Sequence, residues 1–279
     1  MTIRTTKKQF LQEIPEEAKG EFEKRFFLLL AMKYGYTRRD FLMEEDLETN
    51  SLRAFNEDLK ALIKGKPVQH IIGFCDFGGL KIKVDERALI PRPETEELLG
   101  ICRALRPGAN NAIDLATGSA CLALGLKQNI EKVYALEKSP EALSLARENA
   151  ELNDSSIEFI EDDLLRPQKN WPKNLDLIVS NPPYVRNLEK DAMEGEVLSH
   201  EPHMALFVAD DQPLVFYQAI AKYAHEALRE NGLLALEINQ YLGTEVKNLL
   251  KAFFMEVELR EDQFGNTRFA IAHKKRPTV

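Results

Sequence analysis

A-I-D-L-A-T-G-S-A (Ala112–Ala120) is a short apolar run that breaks at a turn of small residues and opens into a helical segment reaching Gln128. Such a turn lets backbone N–H groups at the start of a helix approach a ligand closely. The alternation continues with V-Y-A-L (Val133–Leu136), S-P-E-A-L-S-L-A-R-E-N-A (Ser139–Ala150), I-E-F-I (Ile157–Ile160) and L-D-L-I-V-S (Leu175–Ser180). Beyond these lie a helix over Leu214–Arg229, the strand G-L-L-A-L-E-I (Gly232–Ile238), a helix near Thr244–Ala252 and strands near Val257 and Phe269. Strands alternating with helical periods imply crossover units and an α/β class: an open, mostly parallel, doubly wound Rossmann-like sheet.

The amino-terminal part reads differently. From Thr5 to Lys64 the signals are helical, with Leu52, Phe55, Leu59 and Leu62 at helical spacing. Gly65 and Pro67 then punctuate the chain, and Q-H-I-I-G-F-C-D-F and L-K-I-K-V-D-E flank Gly78-Gly79 as the arms of a β-hairpin. The expected organisation is a helical bundle over 1–66, a hairpin linker over 67–88 and the α/β domain over 89–279.

Composition narrows the function. Of 279 residues, 44% are hydrophobic and 29% charged, as in ordinary globular proteins. The apolar run Phe26–Met32 is too short to span a bilayer, and the first residues lack the apolar stretch of a secretory signal, so a cytoplasmic protein is expected. A net charge of −8 argues against gripping bare nucleic acid through its phosphates. Residues 1–66 carry +1 and the remainder −9, so the acidity lies on the α/β part. Cys75, Cys102 and Cys121 fit reduced thiols. His200 and His203 lack an evident third partner, and no metal site is implied.

In such a sheet ligands bind at the carboxyl ends of the strands, near the switch in strand order. Glu137 ends the second strand, 19 residues after Gly118, where a carboxylate accepts hydrogen bonds from ribose hydroxyls. Asp163 follows the third strand, where it can reach an adenine amino group. A dinucleotide fingerprint would need glycine at 116, 118 and 121, and only Gly118 complies.

The fourth strand ends in S-N-P-P-Y-V (Ser180–Val185), opposite the glycine turn. Pro182 and Pro183 stiffen the corner and leave carbonyls free to accept. The Asn181 amide oxygen and a proline carbonyl make two converging acceptors for an NH₂ group, and Tyr184 offers a face for a planar amide or base. Acceptors on both hydrogens push electron density back onto a delocalised nitrogen. A cofactor with an electrophilic methyl on a sulfonium suits such a site, which needs positioning more than a strong base. The plain alternative is a Pro-Pro turn that ends a strand, with Asn181 capping locally.

N-P-P-Y after a strand, with D-x-x-x-G-S upstream, resembles the amino-group methyltransferases that use S-adenosylmethionine. With L-I-P-R-P-E-T-E-E-L-L (Leu89–Leu99) and E-P-H-M-A-L (Glu201–Leu206), the chain is similar over nearly its whole length to the HemK-type protein glutamine methyltransferases. Those enzymes modify the glutamine of the Gly-Gly-Gln motif in class I peptide release factors. The resemblance implies that Ala116, Thr117, Gly118, Ser119, Ala120 and Glu137 hold the methionine and ribose parts of S-adenosyl-L-methionine, with Asp163 and Leu164 around the adenine. Asn181, Pro182, Pro183 and Tyr184 would surround the substrate amide, with Asn181, Pro182 and Tyr184 carrying the chemistry and Asn181 also bordering the cofactor. It also implies a helical domain that recognises the substrate protein, a monomer, and no direct contact with nucleic acid or membrane. The loop 186–211 is expected to be irregular, with a solvated acidic stretch over 189–196. The family turn usually has glycine where this chain has Ala116 and Ala120; both alanines are expected at negative φ. Methylation of RNA, DNA or a ribosomal-protein glutamine, and a binding module without catalysis, are the competing readings.

Overall fold

The computed structural model describes residues 2–43, 47–192 and 195–277. The chain divides into two compact units, Met1–Phe74 with Glu194–His200, and Cys75–Met193 with Glu201–Val279. In the first, α1 (Ile3–Gln12), α2 (Lys19–Tyr34), α3 (Arg38–Leu42), α4 (Thr49–Ile63) and α5 (Val68–Ile72) form a bundle. Thr2 and Thr37 cap α1 and α3 with reciprocal capping boxes, and Gly35, at φ 74°, ends α2. Phe26, Leu29, Leu30, Phe55 and Leu59 are fully buried in its core, and Phe26 meets Phe55 edge-on at 5.3 Å between ring centroids.

The expected hairpin is half right. Val68–Ile72 is helical, because Pro67 opens a turn of helix and Gly73, at φ 88°, closes it. Only β1 (Phe74–Phe77) and β2 (Leu80–Lys83) pair, around Gly78 and Gly79, both at positive φ. Phe77 and Ile82 are buried in the core of the α/β unit, so the hairpin is part of that unit's packing.

The α/β unit continues with α6 (Pro93–Leu105), β3 (Asn111–Leu115), α7 (Cys121–Lys127), β4 (Lys132–Glu137), α8 (Pro140–Leu152), β5 (Glu158–Glu161) and β6 (Leu175–Ser180). The segment expected to be irregular holds β7 (Val185–Arg186), the short helices α9 (Gly195–His200) and α10 (His203–Leu206), and β8 (Phe207–Val208), which pairs with β7. Met193 and Glu194, part of the expected acidic stretch, lie outside the described residues. Glu189 in that stretch is not solvated: its carboxylate accepts from Arg186 and from Asn239 Nδ2. Then come α11 (Val215–Ala227), β9 (Leu228–Glu237), α12 (Gly243–Leu250), β10 (Phe254–Glu261) and β11 (Thr267–Lys275).

The seven-stranded sheet runs β10-β11-β9-β6-β3-β4-β5. The five strands β9 to β5 are parallel, and β11 joins β9 antiparallel, with β10 antiparallel to it at the edge. Along β3, Ala112 packs on one face with Leu98, Leu99 and Leu122, and Ile113 and Leu115 on the other with Tyr217, Ile220 and Val246. Every residue of β6 is buried, as its mostly apolar sequence requires of a central strand covered on both faces; buried Asp176 accepts from the N–H groups of Asn110 and Asn111 and from Arg229, and Ser180 Oγ donates to Leu115 O. The chain leaves β3 for β4 and β5 on one side, then returns through β6 to β9 on the other. The carboxyl ends of β3 and β6 thus meet at the switch point.

The turn after β3 departs from expectation. Ala116, Gly118 and Ala120 all lie at positive φ, at 59°, 55° and 65°. The backbone alternates because it must do three things in five residues. Thr117 N continues the ladder to Leu136 O at 2.9 Å, Gly118 N turns to Glu137, and Ala120 N closes on Thr117 O at 2.9 Å to start α7. A left-handed alanine costs roughly 1–2 kcal/mol. Ala116 is half-buried and Ala120 fully buried. Ala116→Gly is therefore expected to stabilise the protein by about 1 kcal/mol in urea denaturation, whereas Ala120→Gly, which also removes a buried methyl, should be near neutral.

Candidate active site

One cleft lies at the switch point, enclosing about 1090 Å³ that includes its open mouth. It is lined by Ala116, Thr117, Gly118 and Ser119 from the first turn, Glu137 from the end of β4, Asp163 and Leu164 after β5, and Asn181 and Pro183 after β6. The two halves read separately from the sequence therefore share a single space. Ala120, Pro182 and Tyr184 are not among the lining residues.

Each lining group is held by something specific. Glu137 Oε2 accepts from Gly118 N at 2.9 Å, and its Oε1 accepts from the backbone N–H groups of Lys138 and Ser139. Against the upward push of burial, Lys138, 3.0 Å away, and the N–H of Leu165 hold the Asp163 carboxyl below its usual range. Asp162 accepts from the N–H groups of Asp163, Gln168 and Lys169 and from Trp171 Nε1 at 2.8 Å, which ties the loop after β5 in place.

Asp114, at the end of β3, is almost wholly buried and lines the same cleft. Its Oδ2 accepts from Thr117 Oγ1 at 2.5 Å, while Oδ1 has no partner. Burial pushes this carboxyl up to about 7. A buried, incompletely paired carboxylate beneath a small-residue turn, next to a strand-end glutamate that lines the cleft, fits a ligand with a cationic end and ribose hydroxyls. The site thus suits a sulfonium nucleoside.

Behind the Asn181 corner stands a buried network that sequence reasoning did not assign. Asn181 Nδ2 donates to Thr95 Oγ1 at 3.0 Å, and Thr95 Oγ1 donates to Glu237 Oε2 at 2.7 Å. Tyr184 Oη donates to Glu237 Oε1 at 2.9 Å, and Asn239 Nδ2 to the Tyr184 carbonyl at 3.1 Å. Tyr184 is thereby used as a strut, its phenol engaged with Glu237 and its ring packed on the apolar cluster beneath the sheet. Burial pushes the Glu237 carboxyl up and Glu94 adds to this, while the Thr95 and Tyr184 hydroxyls and the charge of Arg268 oppose it.

The two flanking motifs are joined by a second buried pair. Glu201, 5% exposed, accepts from Arg92 Nη2 at 2.5 Å and from Ile90 N at 3.0 Å. The contact ties L-I-P-R-P-E-T-E to E-P-H-M-A-L across the fold. Arg92→Ala leaves Glu201 only the N–H of Ile90 and is expected to cost about 2 kcal/mol, read as a lower urea midpoint at constant slope.

An open, mostly parallel sheet whose switch-point cleft joins a small-residue turn to an N-P-P corner is the architecture of a methyltransferase. Residues 98–206 match the Methyltransferase small domain family, and residues 8–73 match the PrmC N-terminal domain. The chain belongs to the release factor glutamine methyltransferases. It is 39% identical to the release factor glutamine methyltransferase of Flavobacterium psychrophilum, over 96% of this chain and 98% of that one. With the protein of the same name from Bacteroides thetaiotaomicron it is 36% identical, over 96% and 97%. Among solved structures it resembles a T. thermophilus 16S rRNA methyltransferase in complex with AdoMet and guanosine (TM-score 0.53, 19% identity, 72% of this chain and 49% of that one). It also resembles a methyltransferase from Pyrococcus furiosus (TM-score 0.52, 21% identity, 81% and 99%). At these identities the likeness is one of fold.

Proposed function

We propose that this protein transfers a methyl group from S-adenosyl-L-methionine to the side-chain amide nitrogen of the glutamine in the Gly-Gly-Gln motif of class I release factors. The observation that carries the reading is the shared cleft: Asn181, its amide nitrogen tied to Thr95, lines the same space as Gly118 and Glu137. When bound, the cofactor supplies an electrophilic methyl on a sulfonium. The chain's own residues do the positioning. Glu137 and the 116–119 turn receive the ribose and methionine portions, with the buried Asp114 carboxyl beneath them favouring a cationic group by its charge. Asp163 and Leu164 border the base. Asn181 Oδ1 and a proline carbonyl of the corner, where Pro183 lines the cleft, accept from the two amide hydrogens of the glutamine. They raise the electron density on nitrogen and aim its lone pair, so that alignment supplies most of the rate.

The helical unit, near neutral beside an acidic α/β unit, is proposed to meet the protein substrate. Among the described residues no helix is long and apolar enough to cross a membrane. A substrate engaged in translation termination implies a cytoplasmic enzyme, here proposed to act as a monomer. The test is peptide mass mapping of purified release factor after incubation with enzyme and methyl donor. One added methyl on the glutamine-bearing peptide, with none on rRNA, DNA or ribosomal protein, supports the reading; an unmodified peptide overturns it.

A further inference from the structure

We propose that Thr95 and Glu237 act as positioning residues that set which end of the Asn181 amide faces the cleft, holding its carbonyl oxygen toward the substrate. The inference rests on the amide-methylation reading above and deepens it, because that chemistry requires an acceptor at this point. The two ends of an asparagine amide are nearly identical in shape, and sterics alone do not choose between them. Hydrogen-bond chemistry does.

A carboxylate can only accept. Glu237 is almost wholly buried, and although burial pushes its carboxyl up, each of its oxygens accepts from a hydroxyl, Oε2 from Thr95 at 2.7 Å and Oε1 from Tyr184 at 2.9 Å. With both oxygens already accepting, neither is left to donate to Thr95. The single hydrogen of the Thr95 hydroxyl is therefore committed to Glu237, and toward Asn181 the hydroxyl presents only lone pairs. Asn181 meets those lone pairs with Nδ2, at 3.0 Å, which leaves Oδ1 for the cleft. Remove Glu237's demand for that hydrogen, and Thr95 can donate to Asn181 Oδ1 instead. The amide would then turn over and present NH₂ to the substrate's own NH₂, donor against donor. Glu237 also holds the phenol of Tyr184, three residues after Asn181, so one carboxylate braces both ends of the N-P-P-Y corner. Thr95 lies on α6 and Glu237 at the end of β9, 142 residues apart, which is why the arrangement is invisible in the sequence.

The test combines kinetics with a direct readout of the Asn181 amide. Thr95→Val keeps the shape and removes both hydrogen bonds. It is expected to lower kcat for release-factor methylation about 100-fold, the scale of losing one oriented transition-state partner, while calorimetric affinity for S-adenosylmethionine stays within about threefold. Thr95→Ser restores most of the rate, and Glu237→Gln, whose amide can donate as well as accept, falls between. In an Asn181→Ala background Thr95→Val adds no further loss. In ¹⁵N-labelled protein the Asn181 side-chain resonance, assigned by its disappearance in Asn181→Ala, exchanges slowly with solvent in the wild type and quickly in Thr95→Val. Should Thr95→Val retain wild-type kcat, or should its effect add fully to that of Asn181→Ala, the positioning role is overturned. If the wild type leaves release factor unmethylated, the functional reading fails instead, and the amide exchange rates still decide whether Thr95 holds Asn181.

Discussion

Asn181→Ala is expected to abolish methyl transfer, lowering kcat by at least about 1000-fold, while the variant still binds S-adenosylmethionine with an affinity within about tenfold of the wild type. An amide nitrogen is a poor nucleophile because its lone pair is delocalised into the carbonyl. The site lacks a strong base at the Asn181 corner and relies on acceptors that bias and aim that lone pair. Deleting the Asn181 oxygen leaves one hydrogen of the substrate amide unpaired in a partly dry cleft, so both orientation and electron density are lost together. The groups proposed to hold the cofactor, the 116–119 turn, Glu137 and Asp163, are supported by hydrogen bonds in which Asn181 takes no part. Single-turnover methylation and calorimetry on the same preparation check the two halves. A variant that keeps more than a tenth of the wild-type rate would remove Asn181 from the chemistry.

Asp114→Asn is expected to stabilise the protein without bound cofactor, and to do so more at high pH. In the folded state burial lifts the Asp114 carboxyl from 3.8 to about 7, so between those values the folded chain holds a proton that the unfolded chain has released. The contribution of wild-type Asp114 is thus most favourable below the unfolded value and is lost as pH rises through about 7. A displacement of this size is worth on the order of a few kcal/mol, and most of it is lost between pH 5 and pH 8. Asparagine keeps an acceptor for Thr117 and never carries the buried charge. Urea denaturation of both proteins at pH 5 and pH 8 measures the difference. A gain that is equal at the two pH values would mean that Asp114 is not the group responsible.

On the proposed reading, the buried, half-satisfied Asp114 carboxylate is a local cost to the fold that a bound ligand offsets. The left-handed alanines at 116 and 120 belong to the same class of local cost, since the turn they occupy must reach the sheet, the cleft and α7 within a few residues.

The strands were legible because their signal is local. The fully buried L-D-L-I-V-S run announces a central parallel strand, and a small-residue turn followed by a helical period announces the crossover that ends at the cleft. The positions of Gly118, Glu137 and Asn181 at strand ends follow from the same pattern, and so the meeting of both half-sites at the switch point was predictable. Val68–Ile72 was misread because a single helical turn and a strand of five residues carry the same apolar content; Pro67 and Gly73 settled it through backbone angles. The φ of Ala116 and Ala120 was misread because composition favours negative values for alanine, and only the closure of three simultaneous hydrogen bonds forces the other sign.

By itself, then, the sequence determined the α/β architecture, the helical unit before it and most of the residues that line the cleft, since hydrophobic period and turn chemistry act over a few neighbours. Tertiary structure alone decided how those residues are held: Thr95 against Asn181, Glu237 against Thr95 and Tyr184, Glu201 against Arg92. These are contacts between segments 53 to 142 residues apart, made by buried polar groups that must find partners wherever the fold supplies them, and no local pattern records which partner that is.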